Sequence, residues 1–445
     1  MKHSNGDADW ARHDCGTNDV TTAGTSNRPT ILQIIPRLDT GGAELATLEL
    51  TEAVVRAGGR MLVVTEGGRM APRIAELGGT WIPFPAATKN PARMLGNAFR
   101  LTAIMRRERV DLIHARSRAP AWSALAAARL ARRPIVSTYH GAYGGEAGVK
   151  NFYNSVMARG DIVIANSGFT ARLIAQRHGK TAPRVRIVNR GVDLARFDPA
   201  LLSPDRFDFM RKAWGITPST RVILLAARLT DWKGQHVLID AVARLKDGGR
   251  LMQQGAPDVA IILAGDAQGR DGYAGSLRSR AGAAGLGDVV RLVGHCDDMA
   301  AAFALAHVTI VASTKPEAFG RSATEAQAMG SPVIATDLGA PPETVLAEPR
   351  VAEAAITGWI VPPGDAGALA SRIADALALD QAARSAMARR ARAHVTANFS
   401  LERMKRQTLE IYDELLSARP GAAPGIALAP NFSAALLANA PKQQV

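Results

Sequence analysis

Short apolar runs recur along this chain, each followed by an amphipathic stretch, and the pattern comes in two series. Ile31–Ile35, Met61–Val64, Leu112–His114, Pro134–Thr138 and Ile162–Ala165 make the first. Val222–Leu225, Ala260–Leu263, Val290–Val293, Val308–Val311 and Pro332–Ala335 make the second. Runs this short read as buried strands, and strands alternating with helices make βαβ units and parallel sheets. The pattern predicts an α/β chain of two doubly wound domains facing across a cleft. Asp198–Phe209, rich in Pro and Asp, separates the two series. The expected division is a disordered tail over 1–28, a first domain over 29–197, a linker over 198–212, a second domain over 213–397, a helix over 398–418 packing back on the first domain, and a disordered tail over 419–445. Ligands of such folds sit at the carboxyl ends of the strands, so the loops after the strands should carry the chemistry.

Composition agrees. At 445 residues the chain exceeds what one core sustains, and 47% hydrophobic content can fill two. The longest apolar stretch, Met299–Ala312, is too short to span a bilayer and is interrupted by His307. Residues 1–28 lack the apolar centre of a signal peptide. Cys15 and Cys296 form no framework, which fits a reducing, cytoplasmic compartment and offers no metal site. The net charge of +14 is uneven: residues 30–200 hold 25 Lys and Arg against 12 Asp and Glu, 25 − 12 = +13. A basic half suits an anionic partner or reflects an arginine-rich bias alone. No nucleic-acid motif with interleaved aromatics accompanies it, so nucleic acid is not an expected partner.

Three loops stand out. Lys315-Pro-Glu-Ala-Phe-Gly-Arg-Ser-Ala-Thr-Glu325 follows a strand and opens a helix, with Glu317 and Glu325 eight apart and Phe319-Gly320 between them. Ser322 and Glu325 also match a capping box, which alone would account for Glu325. Ala227-Arg-Leu-Thr-Asp-Trp-Lys-Gly234 brackets a short loop with Arg228 and Lys233. Two cations beside a helix N-terminus can hold a diphosphate, although exposed basic pairs are common. Pro36-Arg-Leu-Asp-Thr-Gly-Gly-Ala-Glu44 places Gly41 and Gly42 where backbone amides could face a phosphate. It is not the G-x-G-x-x-G of a dinucleotide fold.

Taken with Gly265-Asp266, Gly285–Gly294 and Thr357–Gly364, these loops resemble glycosyltransferase family 4, of the GT-B fold with two Rossmann-like domains, over roughly residues 30–416. The resemblance implies a retaining glycosyltransferase, with a nucleotide-sugar as co-substrate and no metal or other cofactor. It implies donor contacts at Gly41, Gly42, Gly265, Phe319 and Gly320, Arg228 and Lys233 on the diphosphate, Glu317 on the transferred sugar and Glu325 on the ribose. His140, in a Tyr-His-Gly turn, matches the family's histidine near the reacting sugar. Gly339-Ala-Pro-Pro-Glu343 departs from the pattern by placing Ala340 where a glycine is usual, and Leu346–Ile356 is longer than usual.

Arg116–Trp122, Thr138–Tyr143 and Tyr153–Gly160 resemble lipopolysaccharide-core glycosyltransferases, some of them mannosyltransferases. That likeness implies GDP-mannose, or else a UDP-sugar, as donor. It also implies a glycan or lipid-linked acceptor, its anionic groups met by Arg116 and Arg118. Pro91–Val110 has Met94, Ala98, Leu101 and Met105 on one face amid arginines, the pattern either of a helix on an anionic leaflet or of an ordinary sheet-packed helix. The expected location is therefore cytoplasmic, at most peripheral on the membrane's inner face. A nucleotide-sugar epimerase of the same architecture would need no basic acceptor surface. A non-catalytic glycan- or membrane-binding protein would not need Arg228, Lys233, Glu317 and Glu325 together.

Overall fold

The computed structural model describes residues 28–39, 41–141, 143, 148–179, 184–249 and 258–418. Apart from Arg28, the tails expected over 1–28 and 419–445 lie outside them. The first sheet contains β1 (Thr30–Ile34), β2 (Arg60–Thr65), β3 (Thr80–Pro83), β4 (Leu112–Ala115), β5 (Ile135–Tyr139), β6 (Ile162–Ala165) and β7 (Val185–Ile187), in the order β3-β2-β1-β4-β5-β6-β7. The second contains β8 (Arg221–Ala226), β9 (Val259–Ala264), β10 (Val290–Gly294), β11 (Ala306–Val311), β12 (Val333–Thr336) and β13 (Gly358–Val361), in the order β10-β9-β8-β11-β12-β13. Every strand pair is parallel. Both sheets reverse direction of winding once, beside β1 and beside β8, and a crevice opens at each reversal.

Strand periodicity explains why each sheet carries helices on both faces. Ile223 and Leu225 point into one core with Ile261, Leu263 and Ile310, whereas Val222 and Leu224 point into another with Ile262, Val333 and Ala335. The first sheet divides likewise: Leu32 and Ile34 face one core, Ile31 and Val63 the other. Each fully buried Leu, Ile or Val contributes roughly 1.5–3 kcal/mol, so these runs are short but strongly specified. The segment read as a linker is largely taken up by the helix Pro204–Trp214, which runs on into the second domain, where Met210 and Trp214 pack in the core.

The chain crosses between domains twice, and the two crossings touch. Val192 N donates to Phe399 O at 2.7 Å and Leu401 N to Val192 O at 2.8 Å. Beyond this junction the last helix, Leu401–Ser417, buries Leu401, Met404, Leu409, Ile411, Tyr412 and Leu415 against the first sheet. Its Tyr412 hydroxyl meets His114 Nδ1 of β4 at 2.6 Å, and the other ring nitrogen meets Thr138 Oγ1 at 2.7 Å. Lys405, buried on the same helix, donates to Glu52 at 3.0 Å.

Of the two readings of the Pro91–Val110 segment, the core-packed one describes the apolar face of the helix Pro91–Arg107. Ala98, Leu101 and Met105 are buried in the first domain, so the apolar face recognised in the sequence is committed to the core. Leu95 and Phe99 instead stand 61% and 59% exposed, among Arg93, Arg100, Arg106 and Arg107. Among the described residues no helix is long and apolar enough to cross a membrane.

Candidate active site

A cavity of about 720 Å3 lies between the domains, where the loops after β1, β5, β8 and β11 converge. Its wall includes Gly41, Gly42, Arg118, His140, Arg228, Lys233, Glu317, Phe319 and Gly320. Arg116, Gly265 and Glu325 lie outside that lining.

From the first domain, β1 runs into Gly41, which caps the helix Gly42–Arg56 with no side-chain hydrogen bond to its first amides. The leading N–H groups of a 15-residue helix therefore face the cavity, a ready place for an anion. From the second domain, β8 leads to Arg228, which is exposed, and to the single turn Asp231–Lys233. Gly234 ends that turn at φ +75°, and a Cβ there would lie 1.9 Å from Ala312 O, so only glycine lets the turn close on β11. Gly265 is explained in the same way, since a Cβ would meet Ala227 O at 1.8 Å.

Lys233 Nζ donates to Glu317 Oε1 at 2.5 Å, and both side chains are largely buried. The ammonium also sits 4.3 Å from the centre of the Trp232 ring. Ser313 Oγ donates to the same carboxylate oxygen at 2.5 Å. Main-chain pairing of Glu317 with Gly339 holds the carboxylate's base, and Ala340 N donates to Glu317 O at 2.9 Å. Gly339 takes φ +88° and packs against Glu317 too closely for any side chain. Ala340 has a negative φ of −91°, so alanine replaces the usual glycine without strain. The long Leu346–Ile356 segment is closed at its base by Leu346 N donating to Thr357 Oγ1 at 2.9 Å, and no part of it reaches the cavity lining.

The capping box read into Ser322 and Glu325 does not form. Gly320 caps the helix Arg321–Ala328, and Ser322 Oγ donates to Ala226 O at 2.8 Å. Glu325 pairs with Arg321 at 3.1 Å, and Arg321 reaches across to Glu49 of the first domain at 3.6 Å. Phe319 turns its ring into the second core, edge-on to Phe399 at 5.6 Å between centroids.

The wall nearest β5 is built of cations and aromatics. Arg118 donates to Asn154 at 2.8 Å and lies 4.2 Å from the Tyr143 ring centre, which leaves it less free for an acceptor than its position suggested. Arg190, which sequence reading missed, lines the cavity and donates through Nη2 to His140 Nδ1. Burial, reinforced by the charges of Arg190 and Arg116, holds the His140 imidazole well below the ordinary histidine range, so it is neutral. Burial also pushes the Arg190 guanidinium down to about 9 and that of Arg116 down to about 10. Arg116 Nε and Nη2 are buried without a hydrogen-bond partner among the described residues. At the cavity's edge Ser167 Oγ donates to Ala318 O at 2.7 Å, and Glu343 accepts from Gly168 N at 2.8 Å. Both contacts bridge the domains.

Two doubly wound domains with a cation-lined cleft form the architecture of GT-B glycosyltransferases. A glycosyltransferase from Rickettsia africae ESF-5 superposes with a TM-score of 0.79 at 31% identity, covering 88% of this chain and 100% of that one. Anabaena Alr3699/HepE, solved in complex with UDP and glucose, superposes with a TM-score of 0.74 at 25% identity, covering 87% and 100%. Residues 40–196 match the model of Glycosyltransferase Family 4, and residues 206–394 that of Glycosyl transferases group 1. The chain belongs to this glycosyltransferase family. Among curated relatives, a D-inositol 3-phosphate glycosyltransferase of Jonesia denitrificans is 34% identical over 185 residues, 41% of this chain and 42% of the relative. The lipopolysaccharide core biosynthesis mannosyltransferase LpsB of Rhizobium meliloti is 28% identical over 262 residues, 59% and 68% of the two chains. The match thus spans less than half the length of the first of these relatives.

Proposed function

We propose that this chain transfers a hexosyl group, with retention, from a nucleoside-diphosphate sugar to an acceptor that carries an anionic group. The observation that carries the reading is the Lys233–Glu317 pair, set at 2.5 Å in a cleft faced by Arg228 and by the uncapped helix at Gly42. Breaking a glycosyl–diphosphate bond puts negative charge on the leaving group, and preorganised cations and amides in a closed cleft stabilise it. Glu317, an acceptor only, suits the hydroxyls of the transferred sugar, while neutral His140 can donate. The departing phosphate takes the acceptor's proton, so the protein supplies no nucleophile.

Among the described residues no carboxylate is hydrogen-bonded to either of two buried guanidiniums, Arg190 at the wall and Arg116 within its electrostatic reach, which favours an anionic group on the acceptor. Curated relatives named for inositol 3-phosphate and for the lipopolysaccharide core suit such an acceptor. The donor is mannosyl if this chain follows LpsB and uridylyl-linked if it follows HepE. Docking on an anionic leaflet through Leu95, Phe99 and the arginines of Pro91–Arg107 would bring a lipid-linked acceptor to the cleft.

A thermal-shift series with GDP, UDP, ADP and their sugars, with and without EDTA, tests the donor. GDP stabilisation that survives EDTA supports a mannosyl donor, and UDP preference replaces it. No shift with any nucleotide would overturn the transferase reading.

A further inference from the structure

The two ring nitrogens of His140 have different surroundings. Arg190 Nη2 donates to Nδ1. A guanidinium carries only donors, so Nδ1 must be bare, and the single proton of a neutral imidazole then resides on Nε2. That atom is buried and has no hydrogen-bond partner among the described residues. We propose that Arg190 is a positioning residue that locks His140 in the Nε2–H tautomer, so that the ring serves the sugar as a hydrogen-bond donor and not as a base.

Three observations support the lock. First, a carboxylate at Nδ1 would accept a hydrogen bond from Nδ1–H, keep the proton there and leave Nε2 as an acceptor, the arrangement of a general base; here a cation occupies the place. Second, Arg190 is itself firmly mounted. It is 6% exposed and adjoins Gly191, whose missing Cβ would lie 2.3 Å from Leu401 Cα at the paired crossings. Third, His140 N is held by the Tyr143 hydroxyl at 3.3 Å, which fixes the turn that carries the ring. A sugar atom brought against Nε2, which is closed to solvent here, must then offer a lone pair, as a hydroxyl oxygen does.

The proposal rests on the reading that the sugar lies beside His140, and one experiment separates the two. In the full chain labelled with 15N-histidine, H140Q assigns the His140 signals among nine histidines. Long-range 1H–15N spectra then show which nitrogen bears the proton. Wild type should show a bare Nδ1 and a protonated Nε2. R190M should mix the tautomers and lower kcat by about 10- to 100-fold with little change in donor KM. R190K, which still donates to Nδ1, should restore the tautomer and part of kcat. A proton on Nδ1 in wild type overturns the lock without recourse to any variant. Unchanged tautomer and turnover in R190M overturn it as well. If the lock holds but H140A turns over like wild type, the placement of the sugar fails, and the donor role fails with it.

Discussion

The Lys233–Glu317 pair is the most exacting contact in the cleft, because each side chain leaves a charged partner stranded when it is removed. K233A and E317A should each lower turnover by about 100- to 1,000-fold, the usual effect of losing one preorganised electrostatic group. Far-UV spectra should stay unchanged, since neither side chain enters a core. Near wild-type turnover in both would remove them from the chemistry. A different residue sets part of the acid sensitivity. His307 is pushed down to about 4 by burial, then by Arg384 and Arg221, while its Nδ1 accepts from Val222 N at 3.1 Å. Its folded value lies below the unfolded one, near 6.5. The unfolded chain therefore gains a proton that the folded chain refuses, and stability falls as pH drops from about 6.5 to about 4. H307Q should make that slope shallower by up to about one proton in urea titrations across this range. His114 and His140 lean the same way, so some slope should remain.

At the scale of elements, the exposed face of Pro91–Arg107 makes a separable prediction. L95E/F99E should weaken sedimentation with phosphatidylglycerol vesicles by about 10-fold or more, since each apolar side chain contributes on the order of 1.5–3 kcal/mol when buried. Phosphatidylcholine vesicles should bind poorly throughout. Equal binding of variant and wild type would leave this helix without a role at the leaflet. The same helix shows what sequence can and cannot reveal. Its helical period was legible, and so was the stripe of Ala98, Leu101 and Met105 that the core claims; what the period could not show is that Leu95 and Phe99, just beside that stripe, would be left exposed. All ten strands read from apolar runs are present. The three others, Thr80–Pro83, Val185–Ile187 and Gly358–Val361, lie at sheet edges and are only partly buried; the first two carry no continuous apolar run, and the third is apolar but short and opens on a glycine. Within the site, Lys233 and Glu317 could be found because each follows its strand in a loop with unusual residues. Arg190 could not, because it follows one of those hidden edge strands and meets a histidine 50 positions away. Glu325 drew notice through its spacing, whereas its pairing with Arg321 depends on a helix start that local pattern misplaced.

The whole molecule is held together by the return of the chain. Y412F removes the hydroxyl that meets buried His114 and should cost about 1–3 kcal/mol, read by chemical denaturation. Truncation after Asn398 removes the whole last helix and should expose the groove that holds Leu409, Ile411 and Tyr412, with loss of cooperative unfolding in the first domain. An unaltered transition in the truncated chain would show that the first domain completes itself. The Leu401–Ser417 helix also imposes an order on synthesis. The first sheet leaves the ribosome after β7, yet the helix that covers it follows more than 200 residues later. At about 5–20 residues per second, the nascent first domain waits roughly 10–40 s with an apolar flank open and His114 lacking its tyrosine. During that interval it is a natural client for chaperones, and a ribosome stalled in the second domain would leave it unfinished.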